Sequence, residues 1–400
     1  MNNVKLCTLG TFRNGISFGK ESYGPGLKII TVKDLFKGRY VSTTMLDELL
    51  PRALPAHYPH YLVEQGDLLF TRSSLTKTGA GMVAMVHQPT ADTLFSGFII
   101  RFRPHPQKCH PHYLLYLLRS PRYRKLLADS ALQTNISNVN QDTLGNLSVT
   151  IPTMAQQEQI VSALSALDDK IELNIRINTE LEALAKTCYH YWFGQYIFPG
   201  SLKEQLPEGW HIRQLGTIAN TGSGGTPRSS QKSYYENGDI PWINSGELNH
   251  PYIATTSNYI TESGLNNSSA RMFPENTLLM AMYGTTAGKT SLLRIPACTN
   301  QAVCAILPHD QEYTYYLKFA LETMYPYLTG LRSGSARENL SQDKIRALQI
   351  AIPPLRDIRR FNAMVIPLVE QIVNHLWQNE ELIKLRDWLL PIMMNDYIKK

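Results

Sequence analysis

The chain has 400 residues, of which 43% are hydrophobic and 18% charged, with a formal net charge of +6. That length suffices for two or three domains with real cores, and the composition is that of a soluble protein. No apolar run is long enough to span a bilayer and no signal peptide opens the chain, so a cytoplasmic protein is expected. Five cysteines (Cys7, Cys109, Cys188, Cys298, Cys304) form no CxxC pair and leave one thiol over in any pairing scheme. A reducing compartment with free, mostly buried thiols fits them.

Residues 1–153 read as a globular unit with 17 Lys+Arg against 9 Asp+Glu, which points to a polyanionic partner. Strand-like runs fall at 28–32, 67–71, 81–86 and 97–102. A Tyr- and Leu-rich helix over 112–130 follows, interrupted by Pro121 and basic at its far end (Arg119, Arg122, Arg124, Lys125). The strand-like LSVTIP closes the unit.

The next stretch, 155–192, holds neither Gly nor Pro, and its apolar residues recur at coiled-coil spacing. Ile160, Leu164, Leu167, Ile171, Leu181 and Leu184 form one stripe, with most of the carboxylates kept off it. Such a rod runs roughly 55 Å and cannot bury its own stripe. Its partner lies 201 residues later. At that shift Asn138, Gln141, Asp142, Leu147, Ile151, Pro152, Leu167, Ile171, Asn178, Leu181 and Leu184 meet identical residues without a gap. The chain is therefore an internal duplication, and two copies of one unit pack most simply about a pseudo-twofold axis with the rods antiparallel. The second stripe carries Leu368, Ile372, Leu382 and Leu385. Asn174 and His375 fall at equivalent points of the two stripes and read as a register-setting polar pair. Pro367 predicts a kink or break in the second rod.

Pro199, Gly200, Pro207 and Gly209 mark the way out of the first rod, and residues 199–354 then repeat the order of the first unit. The division expected is 1–153, a helical spacer 154–198, 199–354, and a second spacer 355–400. Strands and helices mix without strict alternation, so each globular unit reads as α+β.

Catalytic motifs are scarce. YGTTAGKT (283–290) leaves three residues between its glycines where a phosphate-cradling loop needs four, and strand-like flanks make it a hairpin turn. The 11 His and 5 Cys show no paired metal-ligand spacing. His57, His60 and Glu64 read as solvated surface. Three kinds of loop suit a polyanion better, because Gly lets the backbone approach phosphates while Ser, Thr, Arg and Lys supply donors and charge. The first holds Arg13 and Lys20, answered in the second unit by Thr226, Arg228 and Ser229. The next holds Arg72, Ser73, Ser74 and Lys77, answered by Tyr283, Thr285 and Lys289. The last holds Asn135 and Asn138, answered by Arg332, Ser335, Arg337 and Asn339. Trp242 reads as core packing.

The strings LGTIANTGSGGTP, GDIPWINSGEL and RSGSARENLSQDKIRALQIAIPPL in the second half resemble the specificity subunits of type I restriction–modification enzymes. NISNVNQDTLGNLSVTIPTMAQQEQI and DDKIELN carry the likeness into the first half, which departs more, lacking the G-x-T-P and I-P-W-I strings. The resemblance spans essentially the whole chain. It implies two target-recognition domains held apart on two antiparallel helices, each reading one half of a split, asymmetric target in double-stranded DNA. It also implies prokaryotic partners: methyltransferase subunits using S-adenosylmethionine to modify adenine, and a restriction translocase using ATP and Mg. The chain itself would bind no cofactor and catalyse nothing. The rival readings are a stand-alone nucleotide-dependent nuclease built on the 284–290 turn, and a coiled-coil scaffold that binds only proteins.

Overall fold

The computed structural model describes residues 2–41, 46–74, 76, 79–87, 89, 92–130, 132–133, 137–194, 206–330 and 339–396. Two helices dominate it, Met154–Phe193 and Leu355–Asp396. The first begins at a reciprocal cap. Thr153 Oγ1 accepts from the Gln156 N–H at 3.4 Å, and Gln156 Oε1 accepts from the Thr153 N–H at 3.1 Å. The second runs through Pro367 as one continuous helix, so of the kink or break expected there the break does not occur. Pro367 and Ala363 both lie on the exposed face, where water can satisfy the carbonyl that proline leaves without a donor.

The chain divides into two compact units, 1–169 with 382–400, and 170–381. The helices do not separate as spacers of their own, as the sequence-based division had them. Each unit includes a stretch of both, because each globular part packs its core onto the helix pair. In the first unit Ile160, Val161, Leu164, Leu390 and Met394 share one cluster with Phe70, Phe102, Tyr113 and Tyr116. In the second, Ala185, Tyr189, Phe193, Phe361, Val365, Val369 and Ile372 share one with Tyr316 and Phe319. Tyr189 stacks on Phe319 at 5.9 Å, and Phe193 meets Tyr316 edge-on at 5.0 Å.

Both units use one sheet plan. In the first, five strands lie in the order Gly10–Asn14, Ile99–Pro104, Leu68–Thr71, Val83–Val86, Tyr40–Val41. In the second the order is Ala219–Ser223, Val303–Pro308, Leu278–Ala281, Thr290–Leu293, Tyr252–Ile253. In each, the last strand is parallel to its neighbour and the other pairs are antiparallel. A two-stranded ladder joins the start of each unit to the strand before its long helix, Lys5 opposite Ser148 and Gln214 opposite Gln349. The QD pair common to both halves opens a short helix in each. Asn140 caps the first by accepting from the Thr143 N–H at 2.7 Å, and Ser341 caps the second through the Lys344 N–H at 3.3 Å. This α+β architecture agrees with the class read from the sequence.

The seam between the helices is visible at its polar positions in the second unit. Asn174 Nδ2 donates to Asn379 Oδ1 at 2.8 Å and lies 2.7 Å from Gln378 Oε1, while Asn178 Oδ1 meets His375 Nδ1 at 2.7 Å. Since 174 corresponds to 375 and 178 to 379, each contact is the other's image under the duplication. The same symmetry relates the bond from Asn178 Nδ2 to the Ile372 carbonyl (3.2 Å) and that from Asn379 Nδ2 to the Ile171 carbonyl (3.5 Å). The helices are antiparallel here and related by a local twofold. Asn174 and His375 are therefore not each other's partner but hold equivalent halves of a four-residue polar layer. Leu184 and Leu385, placed in the seam by their spacing, are 48% and 43% exposed. Ala185 and Tyr189 turn inward instead, because the globular part, not the helix partner alone, sets the buried face. Ile160, Leu164, Ile171 and Ile372 are buried, whereas Leu167, Leu181, Leu368 and Leu382 are half-buried.

All five cysteines are free. Burial pushes the Cys109 and Cys304 thiols up to about 12 and that of Cys298 to about 11, so they behave as small apolar groups. His112 moves the other way. Burial first, then the neighbouring His110 and His87, lower it to about 4 from 6.5. The folded first unit therefore resists a proton that the unfolded chain takes up below about 6.5. Stability is complete above that pH and falls as pH drops towards 4, by roughly 1 kcal/mol per unit before discounting for partial exposure. Unfolding midpoints between pH 7 and 5 check this: the parent should lose stability, and His112→Phe should flatten the slope. Equal slopes would remove His112 as the cause.

Candidate nucleic-acid interface

The loops with contact chemistry extend from these sheets. In the first unit Arg13 lies exposed on strand Gly10–Asn14, its guanidinium 5.7 Å from the Tyr61 ring centroid. Lys20 is exposed at the start of a short 3-10 turn, Lys20–Ser22. Arg72 is held by its backbone, its N–H donating to the Phe98 carbonyl and its carbonyl accepting from the Val139 N–H, with the side chain exposed. Ser73 and Ser74 pair with Ser137 and Asn138 in a small sheet, and Ser73 Oγ donates to Asn138 Oδ1 at 2.6 Å. Two of the expected loops thus form one continuous edge. Lys77 and Asn135 lie outside the described residues, as do Arg332, Ser335 and Arg337 of the second unit.

The second unit repeats that junction: Tyr283 bridges Asn339, the counterparts of Ser73 and Asn138, and the Leu340 N–H donates to the Met282 carbonyl. The string 284–290 is the hairpin turn between Leu278–Ala281 and Thr290–Leu293, with Gly284 and Gly288 at φ +76° and +84°. A strand follows it, not a helix, so the backbone does not form the phosphate cradle of a nucleotide site. Thr285 is exposed on the turn. Lys289 turns aside to Asn249 Oδ1 at 2.6 Å, beside a cavity of about 590 Å³ lined also by Lys186, His250 and Glu322.

The Gly-rich loop 224–229 is anchored from below. Gly224 N–H donates to Thr299 Oγ1 at 3.2 Å, Trp242 Nε1 to the Gly225 carbonyl at 3.0 Å, and Thr226 Oγ1 to Gln301 Oε1 at 2.5 Å. A Cβ on Gly224 would lie 1.9 Å from the Thr299 carbonyl oxygen, which accounts for the glycine. Trp242 is half-buried and serves as a strut for this loop as well as packing near Ile260 and Cys298. Arg228 and Ser229 point to solvent from the rim.

Beside the loop opens a polar cleft of about 530 Å³ that sequence reasoning missed. Ser223, Ser268, Ser269, Arg271 and Arg346 line it. Arg346 Nε donates to Thr221 Oγ1 at 2.6 Å, and Arg271 is exposed. The run Ser268–Ser269–Ala270–Arg271 carries the same Ser/Arg signal as the other loops. Nothing in the first half answers this run, so the duplication gives no signal for it.

The charge of the first unit is spent differently from what its excess of cations suggested. Arg103 clasps Asp67 at 2.7 and 2.8 Å, and Arg101 donates to the Leu62 carbonyl at 2.6 Å. Arg119 donates to the Gly38 and Val83 carbonyls, and Arg124 to the Gly81 carbonyl. Burial lowers Arg119 to about 10, with Arg39 and Arg124 adding to the effect. These arginines bind scaffold. Arg13, Lys20 and Arg72, by contrast, carry exposed side chains. Among the described residues no group of three His, Cys, Asp or Glu side chains could hold a metal ion, and no helix is long and apolar enough to cross a membrane.

Each unit thus sets unlike polar loops on one α+β sheet plan. The family model for the type I restriction modification DNA specificity domain matches residues 30–183 and again 207–366, and the chain belongs to that family. It is a specificity subunit, the part of a type I restriction–modification enzyme that determines the DNA target and carries no catalysis of its own. Among its relatives is the type I restriction enzyme HindI specificity subunit of Haemophilus influenzae, 24% identical over the whole of both chains. The MjaIX specificity subunit of Methanocaldococcus jannaschii is 25% identical over 93% of this chain and 87% of that one. The crystal structure of the type I system S subunit from M. genitalium shares the fold, with a TM-score of 0.59 and 16% identity over 98% of this chain and 95% of that one.

Proposed function

We propose that each unit reads one half of a bipartite, asymmetric duplex target and that the helix pair fixes the spacer between the halves. The observation that carries this is the repeated sheet plan with different loops upon it. A shared scaffold cannot distinguish two half-sites, so discrimination falls to what differs: Arg13, Lys20, Arg72 and Ser74 in the first unit, and Thr226, Arg228, Ser229, Tyr283, Thr285 and the cleft at Arg271 in the second. Two readers joined by a stiff spacer bind with high effective concentration when the half-sites match its length.

The partners of this reading are adenine methyltransferase subunits, which bring S-adenosylmethionine, and a restriction translocase that brings ATP and Mg. Both work in the prokaryotic cytoplasm, and this chain supplies no cofactor. A gel-shift assay with the methyltransferase partner present, against a library of split sequences, tests the reading. One split sequence should be retained about 10³-fold or more over random duplex. Binding without preference for any split sequence would overturn it.

A further inference from the structure

Each globular part is fastened to the helix pair through a buried cluster of charges, and the two clusters are wired differently. In the first unit Asp168, 5% exposed, accepts from Tyr116 Oη at 2.7 Å and from Arg386 at 2.8 Å. Arg39 lies over the Tyr116 ring, 3.9 Å from Asp168 and 3.2 Å from Asp387. In the second unit Lys318, fully buried, binds Glu182 at 2.7 Å and Glu322 at 3.1 Å, 4.5 Å from the Tyr252 ring centroid. Tyr252 Oη donates to Glu182 at 2.7 Å, and Lys186 binds Glu322 at 2.6 Å. Burial opposes the ionisation of Glu322, but Lys318 and Lys186 outweigh it and hold its carboxyl below the usual range.

The duplication allows the clusters to be compared position by position. Tyr113 and Tyr316 both donate to the strand before the long helix, at the Thr150 and Ala351 carbonyls, which are 201 residues apart. They are therefore counterparts, and Leu115 stands where the second unit has Lys318, Tyr116 where it has Phe319, Arg119 where it has Glu322. The parallel strand pairs make Tyr40 the counterpart of Tyr252, and hence Arg39 of Pro251. On the helices, Asp168, Ile383, Arg386 and Asp387 of the first unit stand where the second has Val369, Glu182, Ala185 and Lys186. In these two clusters every charge that crosses from globular part to helix in one unit meets an apolar or like-charged group in the other. The Arg294–Glu370 pair of the second unit lies outside them and is not selective, since Asp169 stands where Glu370 does.

We propose that these residues key each globular part to its own stretch of the helix pair. With the second part on the first unit's helices, Lys318 meets Ile383 and Glu322 meets Asp387. With the first part on the second unit's helices, Arg39 meets Lys186 and Val369, and the Tyr116 hydroxyl has no carboxylate. Burying an ion beside the wrong partner costs several times what an exposed pair contributes, so the mismatch is felt in folding. Under the two-reader function, on which only this consequence rests, the key fixes which reader stands at which side of the spacer, and so the polarity of the target.

The test is a full-length chimera in which residues 207–353 replace 1–152, so that the second part occupies both places. Its unfolding is followed by calorimetry beside the parent. We expect the grafted copy to melt roughly 10 °C below the native second unit. Ile383→Glu with Asp387→Lys, which restores the counterparts of Glu182 and Lys186, should recover most of that loss, whereas the same two changes in the parent should lower its midpoint. A graft as stable as the native second unit, or one that the paired changes do not raise, overturns the proposal. No DNA enters this experiment, so its failure leaves the reading of the target untouched, and failure to find a split target leaves the key untouched.

Discussion

Asp168→Leu should destabilise the first unit by roughly 3 kcal/mol, which is large for one side chain near a helix surface. Removing the carboxylate leaves the Arg386 and Arg39 guanidiniums facing each other in a site where their side chains are only 12% and 13% exposed. It also strips the Tyr116 hydroxyl of its acceptor. Asp387 stays within reach of both arginines but is 55% exposed, so it offsets only part of the loss. Asp168→Asn should cost less, because an amide oxygen still accepts from Tyr116. Calorimetry that resolves the two units as separate transitions should show the first unit's midpoint falling by about 5–10 °C and the second's unmoved. If neither moves, the cluster is screened by water and carries little of the attachment.

Much of the fold was legible because a duplicated chain states its plan twice. The strand runs at 67–71 and 97–102 and the Tyr-rich helix pair correspond to Leu68–Thr71, Ile99–Pro104, Pro111–Arg119 and Pro121–Ser130. The exact match at a shift of 201 announced the twofold that the Asn174–Asn379 and Asn178–His375 contacts display. Heptad spacing misassigned Leu184 and Leu385, since a stripe drawn for one helix partner ignores the globular face that rotates Ala185 and Tyr189 inward. Pro367 does not break its helix, because its cost depends on whether solvent reaches the freed carbonyl, and Ala363 is exposed. Net charge was the least informative guide to the interface. Arg39, Arg101, Arg103, Arg119 and Arg124 look like a basic surface in the sequence, yet they bind carboxylates and carbonyls within the first unit. No composition count distinguishes a cation facing water from one tying a loop to a sheet.

Lengthening both helices together should lengthen the recognised spacer. An insertion in one helix alone would pull apart the polar layer at Asn174, Asn178, His375 and Asn379, whose contacts fix the antiparallel register. Seven residues between Asp169 and Lys170, with seven more between Glu381 and Leu382, leave the contacts within each compact unit intact. One heptad adds about 10 Å and nearly preserves the helix face, a rise equal to about three base pairs of duplex. The most direct measurement is a map of modified adenines in cells carrying the methyltransferase partner with either the parent or the lengthened chain. Two unchanged half-sites separated by roughly two to four additional base pairs is the outcome the proposed two-reader function requires. The same spacer in both maps would contradict it.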